Sequence, residues 1–73
     1  MAKLPLVSGA KAAKAFSKAG WITARQTGSH LIMIKQGCMV TLSVPMHSEI
    51  SKGTLRKLIS HSGLSVEEFL DLL

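Results

Sequence analysis

The chain has 73 residues, of which 47% are hydrophobic and 18% charged, and its formal net charge is +5. This length excludes a multi-domain architecture, and the balance of apolar and charged residues excludes a disordered chain. We therefore expect one domain spanning residues 1–73. Cys38 is the single cysteine, which excludes an internal disulfide and fits a reducing compartment.

The charge is unevenly distributed along the chain. Residues 1–64 contain nine basic residues and one acid, a net charge of +8, whereas residues 65–73 contain three acids and no base. A basic segment attracts polyanions through counterion release, so nucleic acid is the favoured class of partner. The apolar runs are far shorter than the roughly 20 residues of a transmembrane helix, and the N-terminal segment lacks the apolar stretch of a signal peptide. We expect a cytoplasmic protein that is not a membrane protein.

The first predicted element is a helix. Ser8 is a favourable N-cap and Gly20 a favourable C-terminal stop, so the helix is predicted to run through Ala19. Its narrow apolar stripe consists of Ala12, Phe16 and Ala19. Lysines at positions 11, 14 and 18 recur at i, i+3 and i+7, which places them along one exposed face.

Three short segments rich in β-branched and apolar residues follow, at 21–26, 30–35 and 39–44. The two connectors are short and each contains a glycine, so the segments are predicted to form an antiparallel meander. In the third segment, the alternation with polar residues predicts that one face is buried, formed by Val40, Leu42 and Val44. The second segment does not alternate, which leaves the direction of His30 open.

Two more helices complete the predicted fold. The second runs roughly over 52–62, with Ser51 and Thr54 as competing N-caps, and its inward stripe consists of Leu55, Leu58, Ile59 and Ser62. The third begins with a capping box, Ser65 with Glu68, and carries the apolar stripe Val66, Phe69, Leu70 and Leu73. The predicted fold class is α+β, in the order α-β-β-β-α with an additional short C-terminal helix, and the helices cover one face of the sheet.

Histidine is the residue type whose ordinary pKa, near 6.5, suits proton transfer at neutral pH. The sequence contains three: His30, His47 and His61. His30 begins a predicted strand beside a tight turn, with Arg25 on the neighbouring strand, so an acid–base group would lie near a cation. A strand-end histidine that only forms structural hydrogen bonds is the alternative. His61 lies in the last turn of the second helix, where a cation complements the helix dipole.

His47 lies in the loop before the second helix. A helix N-terminus stabilises phosphate through its free N–H groups, and the cations of this helix, Lys52, Arg56 and Lys57, would strengthen that effect. A solvated loop histidine is the structural alternative. A metal site fits poorly, because the histidines are 17 and 14 residues apart on a strand, a loop and a helix. We therefore expect no metal and no other cofactor.

RNA is the nucleic acid that suits histidine chemistry without a metal. Its 2′-hydroxyl is an internal nucleophile, so cleavage needs only proton transfer and stabilisation of charge on the phosphate. The α-β-β-β-α order is also that of the double-stranded RNA-binding domain, so a module that binds duplex RNA without cutting it is the main alternative. A third hypothesis is a domain whose basic surface binds an acidic protein.

Several blocks of the sequence resemble the HicA toxin family of mRNA interferases. They are Gly20-Trp21, Arg-Gln-Thr-Gly-Ser-His at 25–30, Val-Pro-Met-His at 44–47, Lys-Gly-Thr-Leu-Arg-Lys-Leu-Ile at 52–59 and Gly-Leu-Ser-Val-Glu-Glu-Phe at 63–69. The resemblance covers roughly residues 8–69. It implies a double-stranded RNA-binding-domain-like fold, endoribonuclease activity toward mRNA without a ribosome, and neutralisation by a HicB-type antitoxin in a hetero-oligomer.

The resemblance also implies site residues. The catalytic histidine of the family lies in its Gly-Ser-His motif, which corresponds to His30. The family's Pro-x-His position corresponds to His47, which becomes a second candidate for catalysis or RNA binding. From charge and helix position, we add four candidates for contacts with RNA phosphates: Arg25, Lys52, Arg56 and Lys57.

Overall fold

A computed structural model describes residues 4–73, in which three helices and three strands follow one another in the predicted order. The elements are α1 (Gly9–Lys18), β1 (Ile22–Thr27), β2 (His30–Ile34), β3 (Leu42–Pro45), α2 (Lys52–Ser62) and α3 (Val66–Leu72). The strands form one antiparallel sheet in the order β1-β2-β3. The predicted α+β class and the meander are confirmed.

Each helix begins at a serine that caps it. The Ser8 hydroxyl accepts a hydrogen bond from the Lys11 N–H at 3.2 Å. At α3, Ser65 and Glu68 form the predicted capping box, with distances of 3.1 and 2.9 Å. Ser51 rather than Thr54 caps α2, and it accepts from the Thr54 N–H at 3.4 Å. Because these side chains satisfy N–H groups that have no acceptor within the helix, they fix where each helix starts.

The core lies between one face of the sheet and the helices. Met33 of β2 and Leu42 of β3 are at most 2% exposed and point toward this side. All four residues of the predicted inward stripe of α2 are buried. Phe16 of α1 and Phe69 of α3 are fully buried, with ring centroids 5.1 Å apart, so the aromatic pair joins the first helix to the last.

The third strand is shorter than predicted. It begins at Leu42, whereas residues 39–41 form no regular structure, and Met39 is fully exposed. Val40, predicted to be buried, is 42% exposed. The partner strand explains this difference: the pairing of β2 with β3 ends at Met33 and Leu42, so residues before Leu42 have no opposite strand to pack beside. Strand preference depends on such neighbours more than on residue type.

The predicted places of Trp21 and Leu73 also differ from those in the structure. Trp21, predicted to open the first strand, precedes β1 and is fully buried in the core. Its indole N–H has no hydrogen-bond partner in residues 4–73. Leu73, predicted to belong to the apolar stripe of the last helix, is 46% exposed because it follows α3 and lies at the edge of the packed region.

Candidate functional site

His30 is the first residue of β2, and its side chain lies on the face of the sheet that the helices leave open. Side chains alternate along a strand, and Met33 faces the core, so His30 and Ile32 face the other way. In the sheet register His30 lies opposite Thr27 of β1 and Pro45 of β3. The imidazole is exposed. The direction of His30, which the sequence left open, is therefore toward solvent.

Arg25 shares this open face. The pairing of β1 with β2 is irregular before Arg25 and regular after it, with Arg25 opposite Ile32 and Thr27 opposite His30. Arg25 is therefore the diagonal cross-strand neighbour of His30, an arrangement that separates residues by about 7–8 Å. A long guanidinium side chain spans this distance, so both groups can contact one bound molecule.

His47 lies in the loop between β3 and α2, which backbone hydrogen bonds hold at three points. The N–H groups of Met46, Gly9 and Ile50 donate to the carbonyls of Ser29, His47 and Val7, at 2.6, 2.9 and 2.8 Å respectively. These bonds join the loop to the start of β2, to the start of α1 and to the segment before α1. The position of His47 relative to His30 is therefore set by backbone bonds on both sides of the loop.

Gly9 allows α1 to approach this loop closely. A Cβ on Gly9 would overlap the carbonyl oxygen of Pro45 and would lie 2.7 Å from the Cα of Met46. Both are backbone atoms, which cannot rotate away as the end of a side chain can. The position therefore requires glycine because of the space available.

His30 and His47 line the same groove, which has a volume of about 400 Å³. Ser51 and Thr54 also line it, so the groove reaches the N-terminus of α2. Among residues 4–73, Glu49 supplies its single carboxylate. The structure thus places two imidazoles, a carboxylate, three hydroxyls and a helix N-terminus around one open space. Such groups can bind a phosphate and transfer protons beside it.

Sequence reasoning did not select Glu49 as a site residue. It is the single acid in residues 1–64, and it lies between His47 and the serine cap of α2. An acid at this place in an otherwise basic segment was the available signal. Its side chain reaches the groove because the loop turns back toward α1 at Ile50.

The basic residues selected from the sequence do not all lie together. Lys57 follows Thr54 by three residues, so it lies on the flank of α2 that borders the groove. Arg56 lies on the other flank, where it lines a separate cleft with Glu67 of α3. Lys52 begins α2, next to its cap, and is exposed like the other three.

His61 is exposed in the last turn of α2 and lies outside the groove. Within residues 4–73, no group of three His, Cys, Asp or Glu side chains is placed to hold a metal ion. None of the helices in this part of the chain has the length and apolar character needed to cross a membrane.

The chain was also compared with known proteins. A family model described as the HicA toxin of bacterial toxin–antitoxin systems matches residues 9–64, about three quarters of the 73 residues. No curated protein matches the chain. The matched region runs from the start of α1 to just beyond the end of α2. It includes every residue that lines the groove of His30 and His47, the histidine groove. The chain therefore belongs to the HicA toxin family of bacterial toxin–antitoxin systems.

Proposed function

We propose that this toxin is a metal-independent endoribonuclease that cuts mRNA in the cytoplasm and blocks translation until a HicB-type antitoxin neutralises it. The observation that carries the proposal is the groove beside the N-terminus of α2, which both His30 and His47 line. Membership of the HicA family supports the toxin role. The net charge of +8 on residues 1–64 supports a polyanionic substrate.

The proposed reaction uses the 2′-hydroxyl of RNA as the nucleophile. One imidazole removes the 2′-hydroxyl proton as the 2′-oxygen bonds to phosphorus, and the bond from phosphorus to the 5′-oxygen breaks. The other imidazole gives a proton to the departing 5′-oxygen. The products are a 2′,3′-cyclic phosphate and a 5′-hydroxyl, and no water is consumed. Two histidines around one groove are suited to this pair of proton transfers, and His30 is the first candidate for either role.

Charge on the transferring phosphate is stabilised by groups at the edge of the groove. At the start of α2 the Ser51 hydroxyl accepts from the Thr54 N–H, while the N–H groups of Lys52 and Gly53 have no acceptor within the helix and can donate to a phosphate. Lys57 lies one turn beyond Thr54 on the same flank of α2, and Arg25 adds a cation as the diagonal neighbour of His30. Lys52 extends the positive charge at the helix start, whereas Arg56 contacts RNA only outside the groove.

Glu49 is assigned a positioning role in this proposal. A carboxylate next to a phosphate weakens RNA binding by charge repulsion, so its presence in the groove needs another explanation. A carboxylate that accepts a hydrogen bond from an imidazole N–H orients the ring and fixes which nitrogen carries the proton. We assign this role to Glu49, which lies two residues from His47 along the loop and lines the same groove.

The test uses the purified full chain with a single-stranded RNA in the presence of EDTA. We expect cleavage, with 2′,3′-cyclic phosphate and 5′-hydroxyl ends identified by mass spectrometry. His30→Ala should reduce the rate by at least about a hundredfold. His61→Ala is the matched control, because His61 is an exposed histidine outside the groove, and it should leave the rate unchanged. Full activity in His30→Ala would refute the assignment.

A second candidate function is a module that binds duplex RNA without cutting it. The observation in its favour is the α-β-β-β-α order together with the exposed lysines of α1. This function predicts salt-dependent binding to duplex RNA that His30→Ala does not change, and no cleavage products in EDTA or in Mg²⁺. A gel that shows whether RNA is cut by the unchanged chain and by His30→Ala therefore distinguishes the two functions.

A further inference from the structure

A second groove, of about 360 Å³, lies between α1 and the end of the chain, apart from both histidines. Its apolar surface includes Leu6, Leu72 and Leu73, and its rim carries the three lysines of α1, Lys11, Lys14 and Lys18. Leu6 is 65% exposed and Leu73 is 46% exposed. Exposed apolar surface with a polar rim is typical of a place where another molecule binds.

The lysines of α1 give this groove an excess of positive charge. Among residues 4–73, no acidic side chain lines the groove, and α1 has no acidic residue in its first turn. The three lysines are spaced at i, i+3 and i+7, so neighbouring ammonium groups repel each other along one helix face. An arrangement that opposes helix stability in this way points to an anionic partner.

Lys18 also has a structural contact. Its ammonium group donates a hydrogen bond to the Leu72 carbonyl at 3.2 Å, across 54 residues of sequence. This bond joins the end of α1 to the end of α3, and both of its residues line the groove. Lys11 and Lys14 border the rest of it. The groove is therefore built by two elements that the tertiary fold holds together.

We propose that this groove binds an acidic amphipathic segment of a partner protein. The apolar side chains of the segment would enter between Leu6 and Leu73, and its carboxylates would pair with Lys11 and Lys14. Charge complementarity selects an acidic partner. The apolar floor disfavours RNA, whose backbone offers no apolar side chains, and the concave shape fits a row of side chains better than a flat membrane surface. Binding of such a segment does not depend on whether the histidine groove cleaves RNA.

The test uses a defined probe, a helical peptide of about 15 residues with leucines on one face and glutamates beside them. The full chain, labelled with ¹⁵N, is titrated with this peptide, with the same peptide carrying Gln for Glu, and with one carrying Ser for Leu. We expect the first peptide to shift the amide signals of residues 6–18 and 72–73, and each altered peptide to bind more weakly. Absence of these shifts would overturn the proposal.

Variants of the toxin separate the groove from net charge. Lys11→Gln with Lys14→Gln removes two charges from the groove and should weaken binding of the acidic peptide on the order of tenfold. The control, Gln36→Glu with Ser60→Glu, lowers the net charge equally at exposed positions outside the groove and should leave the affinity close to that of the unchanged chain. Thermal melting checks that both double variants fold. An equal loss in both would show that only overall charge matters and would overturn the proposal.

Two further titrations address the other anionic partners. Duplex RNA and phosphatidylserine vesicles are added separately to the peptide complex at the same charge concentration. We expect neither to displace the acidic peptide. Displacement by the RNA would assign the groove to nucleic acid, and displacement by the vesicles would assign it to a lipid surface; either result would overturn the proposal.

Discussion

Gly9→Ala gives the sharpest test of how this fold positions His47. In the first turn of a helix, replacing glycine with alanine ordinarily stabilises a protein by up to about 1 kcal/mol. Here the new methyl group would overlap the Pro45 carbonyl oxygen and lie 2.7 Å from the Met46 Cα. Since these atoms belong to the backbone, α1 and the loop must move apart. The sign of the effect is therefore expected to reverse.

The magnitude follows from two contributions. Forcing one methyl group into a packed site costs about 1–3 kcal/mol, and losing the bond from the Gly9 N–H to the His47 carbonyl costs about 1 kcal/mol. After the helix preference is subtracted, the free energy of unfolding should fall by about 1–3 kcal/mol. For a domain of this size each kcal/mol lowers the melting temperature by about 4–8 °C. RNA cleavage should also fall at temperatures where the variant remains folded, because His47 moves with the loop.

Gly53→Ala is the matched control for this experiment. Gly53 also lies in the first turn of a helix, but a Cβ there would meet no atom within 4 Å. We expect the melting temperature to rise by a few degrees, in line with the ordinary preference for alanine. Circular dichroism melts and urea titrations of both variants give the comparison. If Gly9→Ala were as stable as the unchanged chain, the close approach of α1 to the loop would not constrain this position.

Three further variants test the site and the packing of the last helix. Glu49→Gln should increase RNA affinity, because it removes a negative charge from the groove, while kcat falls by up to about a hundredfold; an unchanged kcat would exclude the positioning role. Ser65→Ala should lower the free energy of unfolding by about 1 kcal/mol in a urea titration, since it removes the capping box of α3. The control Ser60→Ala, at an exposed position inside α2, should change this free energy by a few tenths of a kcal/mol at most. Phe69→Leu should cost about 1 kcal/mol in the same titration through loss of the aromatic pair with Phe16, and an unchanged midpoint would contradict the role of that pair.

A comparison of two neighbouring cations tests the geometry of RNA binding. Lys57→Gln should weaken RNA binding more than Arg56→Gln, because Lys57 follows Thr54 on the flank of α2 nearer the histidine groove, whereas Arg56 lines the cleft beside α3. The slope of RNA affinity against salt concentration measures how many phosphate charges each variant still neutralises. Equal effects of the two substitutions would mean that RNA extends over both flanks of α2.

The features of this protein that depend on local interactions could be predicted from its sequence. The serine caps of all three helices involve residues at most three positions apart, so the bonds at Ser8 and Ser65 follow from short-range geometry. The inward stripe of α2 follows from its helical period. The resemblance of the Gly-Ser-His motif predicts a catalytic role for His30, and a place before a helix N-terminus predicts a role for His47. These signals all lie within a few residues of the position they describe.

The remaining features depend on contacts between distant segments, and only the tertiary structure decided them. The sheet register makes Arg25 the diagonal neighbour of His30, and the pairing of β2 ends before Val40, so a residue of strand type stays exposed. The loop of His47 is fixed by bonds to Ser29, Gly9 and Val7, which lie 17 to 43 residues earlier in the chain.

The same physical reason applies to both grooves. Glu49 joins the histidines because the loop folds back onto α1, and the lysines of α1 border an apolar groove because α3 packs beside them. A sequence pattern records which side of its own element each residue occupies. Which elements then meet, and at which register, is set by packing of the whole core, so the sequence determined the chemical groups and the tertiary structure determined which of them share a site.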